Sequence, residues 1–290
     1  MANLKEIRSR IKSVQSTQQI TSAMKMVSAA KLRRAQDAIV QMRPYSEKLQ
    51  DILANLSSSL DASENSYAEV RDQKKVLIIA ISSNRGLAGA FNANIVKAVD
   101  HWKKSHLGVD IEVLALGKKA GDALKKRYVM VNGTFSSLAA DVYENLNFGF
   151  VSNIATEAMQ RFTSGQYDQV FLVYNSFKNA ASQIIKTEQF LPIIPAEPSG
   201  EGMSSVDYIF EPSKEEIIKD LIPKSLRVQL YKALLDSHAS EHGARMTAMH
   251  KATDNAGELL KNLKLTYNKA RQAAITGEIL EIVAGAEALS

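Results

Sequence analysis

The chain has 290 residues, 45% of them apolar and 23% charged, a formal net charge of +5 and no cysteine. This composition fits one folded core with an appendage, and the missing cysteines remove disulfides, thiolate metal sites and a dithiol switch. The longest purely apolar run, residues 76–81, is far short of the roughly 20 residues of a membrane span, and no apolar signal segment opens the sequence. A cytosolic or peripherally attached protein is expected.

Residues 2–60 are poor in glycine and proline and read as one long helix. Leu4, Ile7, Ile11 and Val14, then Leu32, Ala35, Ile39, Met42, Leu49, Leu53, Leu56 and Leu60, recur at spacings of three and four, the pattern of a coiled-coil seam. Such a helix spans about 80–90 Å, too long to be buried in one globule. Pro44 is expected to bend it without ending it. Residues 1–43 carry nine bases against Glu6 and Asp37, a local charge of +7 that exceeds the net charge of the whole chain. A basic helix of this kind suits nucleic acid, anionic lipid or an acidic protein surface. Nucleic acid is disfavoured, because no aromatic residue lies in that region to stack on bases. Ile20, Met24 and Val27 fall roughly 110° around from the seam, as a second apolar face. That face is either a broad buried stripe between two neighbours or a contact for another protein.

After a polar linker at 57–73 the texture changes to strand alternating with helix. KKVLIIAIS, IEVLALG, YVMVNGTF, QVFLVYNSF and SQIIKTEQFLPIIP read as strands, the last two joined by a turn at 178–181. Helices are expected at 90–104, in GKKAGDALKKR and at 145–164. The fold class is therefore α/β: a domain over 74–195 with a mainly parallel sheet closed by an antiparallel hairpin, flanked by helical ends at 1–60 and 213–290. Beyond a Pro/Gly/Ser stretch, helix resumes with Ser213 as N-cap, and Pro223 is expected to split off a short helix. One seam then runs through Met249, Ala252, Ala256, Leu259 and Leu263, and another through Ile275, Ile279, Ile282, Ala286 and Leu289.

Two short motifs suggest chemistry. SSNRGLAGAFN places Gly86 and Gly89 between a strand and a helix, where phosphate loops occur, but lacks the third glycine, the acidic partner and the Walker lysine. A structural turn is the simpler account, with a nucleotide-dependent α/β enzyme carrying coiled-coil arms as the alternative function. His238, Glu241 and His242 have the H-x-x-E-H spacing of a zinc hydrolase, yet the residues that follow read as a single helix that supplies neither cleft nor third ligand. No catalytic, cofactor or metal residues are assigned.

Three blocks carry a family likeness: IRSRIKSVQSTQQITSAMKMVSAAKLRRAQ, SSNRGLAGAFNANI, and ASEHGARMTAMHKATDNAGELLKNLKLTYNKARQAAITGEILEIVAGAEAL. Together they resemble the gamma subunit of the F-type rotary ATP synthase, along the whole chain and in order. The C-terminal signature of that family matches at Ile275, Thr276, Glu278, Glu281, Gly285 and Ala286. The resemblance implies a bacterial-type central rotor shaft. Its terminal helices would form an antiparallel coiled coil within a hexamer of alternating alpha and beta subunits, and its Rossmann-like domain would sit with epsilon on the c-ring. It further implies beta-subunit contacts at Met24, Lys25, Arg33, Arg34, Arg245, Arg271, Gln272, Thr276, Glu278 and Glu281. A greasy hexamer collar would surround Ile279, Ile282, Val283, Ala286 and Leu289, and Tyr208 and Glu211 would touch epsilon or the ring. The implied location is the cytoplasmic face of the bacterial inner membrane, peripheral, with no bond chemistry in the shaft itself and no cofactor. Gly277, where relatives more often carry Gln or Asn, and Gly243 each cost up to about 1 kcal/mol of helix propensity.

Overall fold

A computed structural model of the chain describes residues 4–57, 66–193 and 214–288. It divides into two compact units, one formed by Met1–Ala29 with Arg245–Ser290 and the other by Ala30–Ala244. The two long helices, α1 (Leu4–Ser57) and α6 (Lys214–Glu287), contribute to both.

The larger unit is built on β1 (Lys75–Ile81), whose six residues from Val76 to Ile81 are all fully buried. A strand apolar on both faces must be central and covered on both sides. It pairs in parallel with β2 (Asp110–Leu116) and β4 (Gln169–Phe177), with Ile79 facing Leu114 on one side and Leu172 on the other. The short β3 (Val129–Met130) extends the parallel sheet beyond β2, and β5 (Gln183–Leu191) closes the other edge antiparallel to β4. The sheet order is β3-β2-β1-β4-β5.

Strand alternation sorts the core into two layers. Val76, Ile78 and Ala80 pack with Ile95, Val99 and Trp102 of α2 (Phe91–Ser105) and with Ala120 and Leu124 of α3 (Lys118–Leu124). Leu77, Ile79 and Ile81 face the other way, towards Phe135 of α4 (Thr134–Ala140), Ile154 and Phe162 of α5 (Phe148–Thr163), and Ile222, Leu226 and Leu230 of α6. The last three recur every four residues on one helix face, so the sequence that builds the long helix also roofs the sheet.

Three expectations change. Pro223 does not split the helix: α6 runs through it from Lys214, and Ile222 and Leu226 are buried on either side. A proline forfeits one helical hydrogen bond, and burial of the flanking side chains offsets that loss. YVMVNGTF contributes only a two-residue strand, because Gly133 (φ 83°) ends it and Phe135 is drawn into α4, a helix not foreseen. The third concerns the seam of α6, where Leu260 is buried and Leu259 is 47% exposed. Pro44 lies within α1, as expected. Ser213 lies outside the described residues.

Two glycines permit close approach. A Cβ on Gly117 (φ 114°) would stand 2.2 Å from the Ser82 carbonyl oxygen, so the end of β2 can pass the end of β1 only as glycine. Gly243, inside α6, admits the turn at Ala180, whose backbone lies 3.2 Å from the position of its missing Cβ. The polar linker is pinned at its end: Arg71 donates to the Phe162 carbonyl at 2.8 Å, and the Ile193 amide donates to the Tyr67 carbonyl at 2.8 Å.

Candidate interaction surfaces on the helical pair

In the smaller unit, contacts between α1 and α6 fix both direction and register. Gln18 lies beside Gly257, Thr21 meets Thr253 at 2.9 Å, and Lys25 Nζ lies 3.4 Å from His250 Nδ1. Position rises along one helix as it falls along the other, and the paired numbers sum to 274 or 275, so the pairing is antiparallel and in constant register.

Burial along α1 follows an unbroken alternation of four and three: Ile7, Ile11, Val14, Gln18, Thr21, Lys25, Ser28. The facing series on α6 is Met249, Thr253, Ala256, Leu260, Leu263, Tyr267, Ala270, Ala274, again at fours and threes. The gap between Val14 and Leu32 in the apolar pattern is therefore filled by a polar seam. Its hydroxyls are satisfied locally: Thr253 donates to Thr21, Thr21 to the Gln18 carbonyl at 3.0 Å, and Ser28 to the Met24 carbonyl at 2.8 Å. His250 Nδ1 also lies 3.4 Å from Asp254 Oδ2, so this one nitrogen either accepts from Lys25 or donates to Asp254. Thr21, Ser28 and Thr253 were missed as seam residues. The signal was the spacing itself, which continues through them.

The seam faces α6 and leaves the second apolar face of α1 uncovered. Ile20 is 60% exposed and Val27 57%, with Met24 half-buried at the edge. This overturns the buried-stripe account of those residues within the unit, since a side chain that open has no second helix over it. Lys25 is half-buried and engaged with His250; Arg33 and Arg34, in the larger unit, are exposed. Arg245 behaves differently, being only 7% exposed, so it is an enclosed cation rather than a surface one.

Extrapolating the register sets Leu4, the first described residue of α1, opposite about residue 271. Past that point α6 has no described partner from α1. Arg271, Gln272, Thr276, Glu278 and Glu281 are all exposed there, as are Ile279, Ile282, Val283 and Ala286. Ile282 reaches 71% exposure. A run of large apolar side chains open to water marks an interaction surface. Leu289, Tyr208 and Glu211 lie outside the described residues.

The glycine loop is held by its own side chains. Asn92 Oδ1 accepts the Ser83 amide at 3.0 Å, Ser83 Oγ donates to the Arg85 carbonyl at 2.6 Å, and Asn84 Oδ1 accepts the Lys118 amide at 3.0 Å. These bonds tie the end of β1 to the starts of α2 and α3, as a structural turn does. Among the described residues no group of three or more His, Asp or Glu side chains is placed to hold a metal ion.

Comparison with known proteins agrees along the entire chain. The sequence model of a family described as ATP synthase matches residues 3–289. The chain is 61% identical to the ATP synthase gamma chain of Christiangramia forsetii and 59% identical to that of Flavobacterium johnsoniae, each alignment covering 100% of both chains. Among solved structures it resembles a chain of the central stalk and c-ring of the Tetrahymena thermophila mitochondrial ATP synthase (TM-score 0.55, 26% identity, 80% of this chain and 99% of that one). A chain of the Euglena gracilis mitochondrial ATP synthase shares the fold (TM-score 0.66, 21% identity, 99% and 94%).

Proposed function

Because this chain belongs to the ATP synthase gamma-chain family, we propose that it is the central rotor shaft of an F-type ATP synthase, transmitting rotation of a c-ring to the catalytic subunits. The observation that carries the proposal is the antiparallel helical pair with one polar seam and two uncovered apolar surfaces, the Ile20/Val27 face and the 275–286 tip. A shaft must hold its own helices in register while offering its outer face to a sleeve that it turns against. Apolar contact is non-directional, so a greasy tip can rotate without breaking a fixed set of strong bonds.

In this reading alpha and beta subunits enclose the pair. The exposed cations Arg33 and Arg34 and the half-buried Met24 and Lys25 face an acidic segment of beta, and Arg271, Gln272, Thr276, Glu278 and Glu281 offer polar contacts higher up. Arg245 acts from within, setting the electrostatics of its level. Ile279, Ile282, Val283, Ala286 and Leu289 turn in the collar of the hexamer. Tyr208 and Glu211 meet epsilon or the ring. The shaft does no bond chemistry and acts by biasing each beta site in turn. No helix among the described residues is long and apolar enough to cross a membrane, consistent with peripheral attachment on the cytoplasmic face of the inner membrane.

Purification of the native complex tests the reading. One copy of this chain with three alpha and three beta subunits is expected; an isolated oligomer that binds nucleotide would overturn it in favour of the α/β enzyme. Met24→Lys tests the face itself. It adds a charge beside Lys25 and is expected to lower coupling between proton flow and ATP turnover while assembly stays intact, and unchanged coupling would remove Met24 from the contact set.

A further inference from the structure

In the larger unit, one turn of α6 brings the side chains of His238 and His242 together with their Nε2 atoms 3.1 Å apart. Their ring centroids are 4.6 Å apart and the planes are nearly perpendicular, at 85°. In a straight N–H···N bond both ring axes would lie along the N···N line, and the centroids would stand roughly 5.4 Å apart. The observed centroids are closer, so the axes are turned well off that line. Two imidazole nitrogens on one ion at about 2.0–2.1 Å stand about 2.8–3.0 Å apart at an octahedral angle and about 3.3–3.4 Å apart at a tetrahedral one, values that bracket the observed separation.

The surroundings hold this geometry in place. The Tyr143 ring stacks on His238 with centroids 6.2 Å apart and planes 30° from parallel, while His242 is 5% exposed and His238 half-buried. The buried hydroxyls of Tyr143 and Ser237 have no hydrogen-bond partner among the described residues. Two such hydroxyls next to the pair can hydrogen-bond the water of a hydrated ion.

We propose that His238 and His242 chelate a single divalent transition-metal ion through Nε2, with water in its remaining positions and Tyr143 fixing the His238 ring. Imidazole ligands suit zinc, nickel, cobalt and copper ions, and not magnesium or calcium. With two protein ligands the site is an auxiliary clasp on α6, distinct from the rotor surfaces above.

The test uses the full-length chain, titrated with Co²⁺ and followed by visible absorption, then with Zn²⁺ in competition. The chain has five histidines, so the variants decide the location. One equivalent bound in the micromolar range is expected, displaced by Zn²⁺, with His238→Asn weakening uptake about tenfold or more at unchanged far-UV circular dichroism. His238 is half-buried and its replacement leaves the core intact, so it carries the test even where His242→Asn misfolds. No uptake at millimolar Co²⁺, or equal uptake by wild type and His238→Asn, overturns the proposal and leaves the pair as a bent hydrogen bond.

Discussion

The same two helices find different partners in the two units. In the larger one, α1 buries Leu32, Ala35, Ile39 and Leu49, while α6 buries Leu226, Leu230, Ala233 and Leu234 in the core of the sheet domain and, further along, the polar Asp236, Ser237, Ser240 and His242. In the smaller one, the middle of the seam is Gln18, Thr21, Lys25 and Ser28 against Thr253 and Gly257. Apolar burial stabilises strongly but tolerates slippage, whereas a polar seam adds less free energy and specifies which residues meet. In the larger unit a sheet core holds α6, whereas in the smaller unit the seam between the two helices sets the register.

The largest expected effect lies in the larger unit. Gly117→Ala introduces a Cβ 2.2 Å from the Ser82 carbonyl oxygen at a φ of 114°, and the combined strain and overpacking should cost about 3 kcal/mol or more in urea unfolding. A loss below about 1 kcal/mol would mean that the β1 and β2 ends are looser than they look.

Asp236 is a buried carboxylate whose neighbours come from several elements. It accepts from Ser176 at 3.2 Å; burial raises its pKa, while Ser176, Lys232, Arg43 and Lys186 act in the opposite direction. A carboxyl whose pKa is raised on folding binds its proton more tightly in the native state. Its stabilising effect is therefore present below the unfolded pKa and is lost as pH rises through the folded one. Asp236→Asn keeps an acceptor for Ser176 and is expected to gain on the wild type between pH 4 and pH 7, as read from unfolding midpoints. A difference that does not vary with pH would remove Asp236 as a source of the dependence.

Smaller effects are expected in the helical pair. Replacing both hydroxyls, Thr21→Val with Thr253→Val, exchanges a bonded polar pair for apolar isosteres and should move stability by less than about 1 kcal/mol. Register should suffer instead. A chain without native cysteine allows clean cross-linking: Gln18→Cys with Gly257→Cys is expected to close on oxidation, and in the double-valine background a pair one heptad off, Gln18→Cys with Lys264→Cys, should begin to close as well. Unchanged selectivity would mean that register is set elsewhere. Smallest and opposite in sign to the first prediction is Gly277→Ala, where a Cβ meets nothing within 4 Å; the helix tip should gain up to about 1 kcal/mol, measured by thermal unfolding.

Much of this was legible in sequence. The six-residue apolar run of β1 announced a central strand, and the threes and fours of α1 announced a seam, because strand and helix periods are local properties of the chain. Leu259 shows where that reading fails: it and Leu260 are equally apolar, and only the facing helix decides which is buried. Thr21 and Ser28 were passed over because a polar residue at a seam position looks like a break until its hydrogen-bond partner is known. Met24 was placed on a second face by angle alone, and its half-buried edge position required the position of α6.

By itself, then, the sequence determined the element types, the apolar alternation of the sheet, the basic N-terminal helix and the family. Tertiary structure alone decided the register of the helical pair, the polar seam within it, the enclosure of Arg245 and the uncovered face at Ile20 and Val27. The physical reason is that periodicity is encoded within a few residues, while burial and pairing belong to surfaces brought together from positions more than 200 residues apart, as Thr21 and Thr253 are.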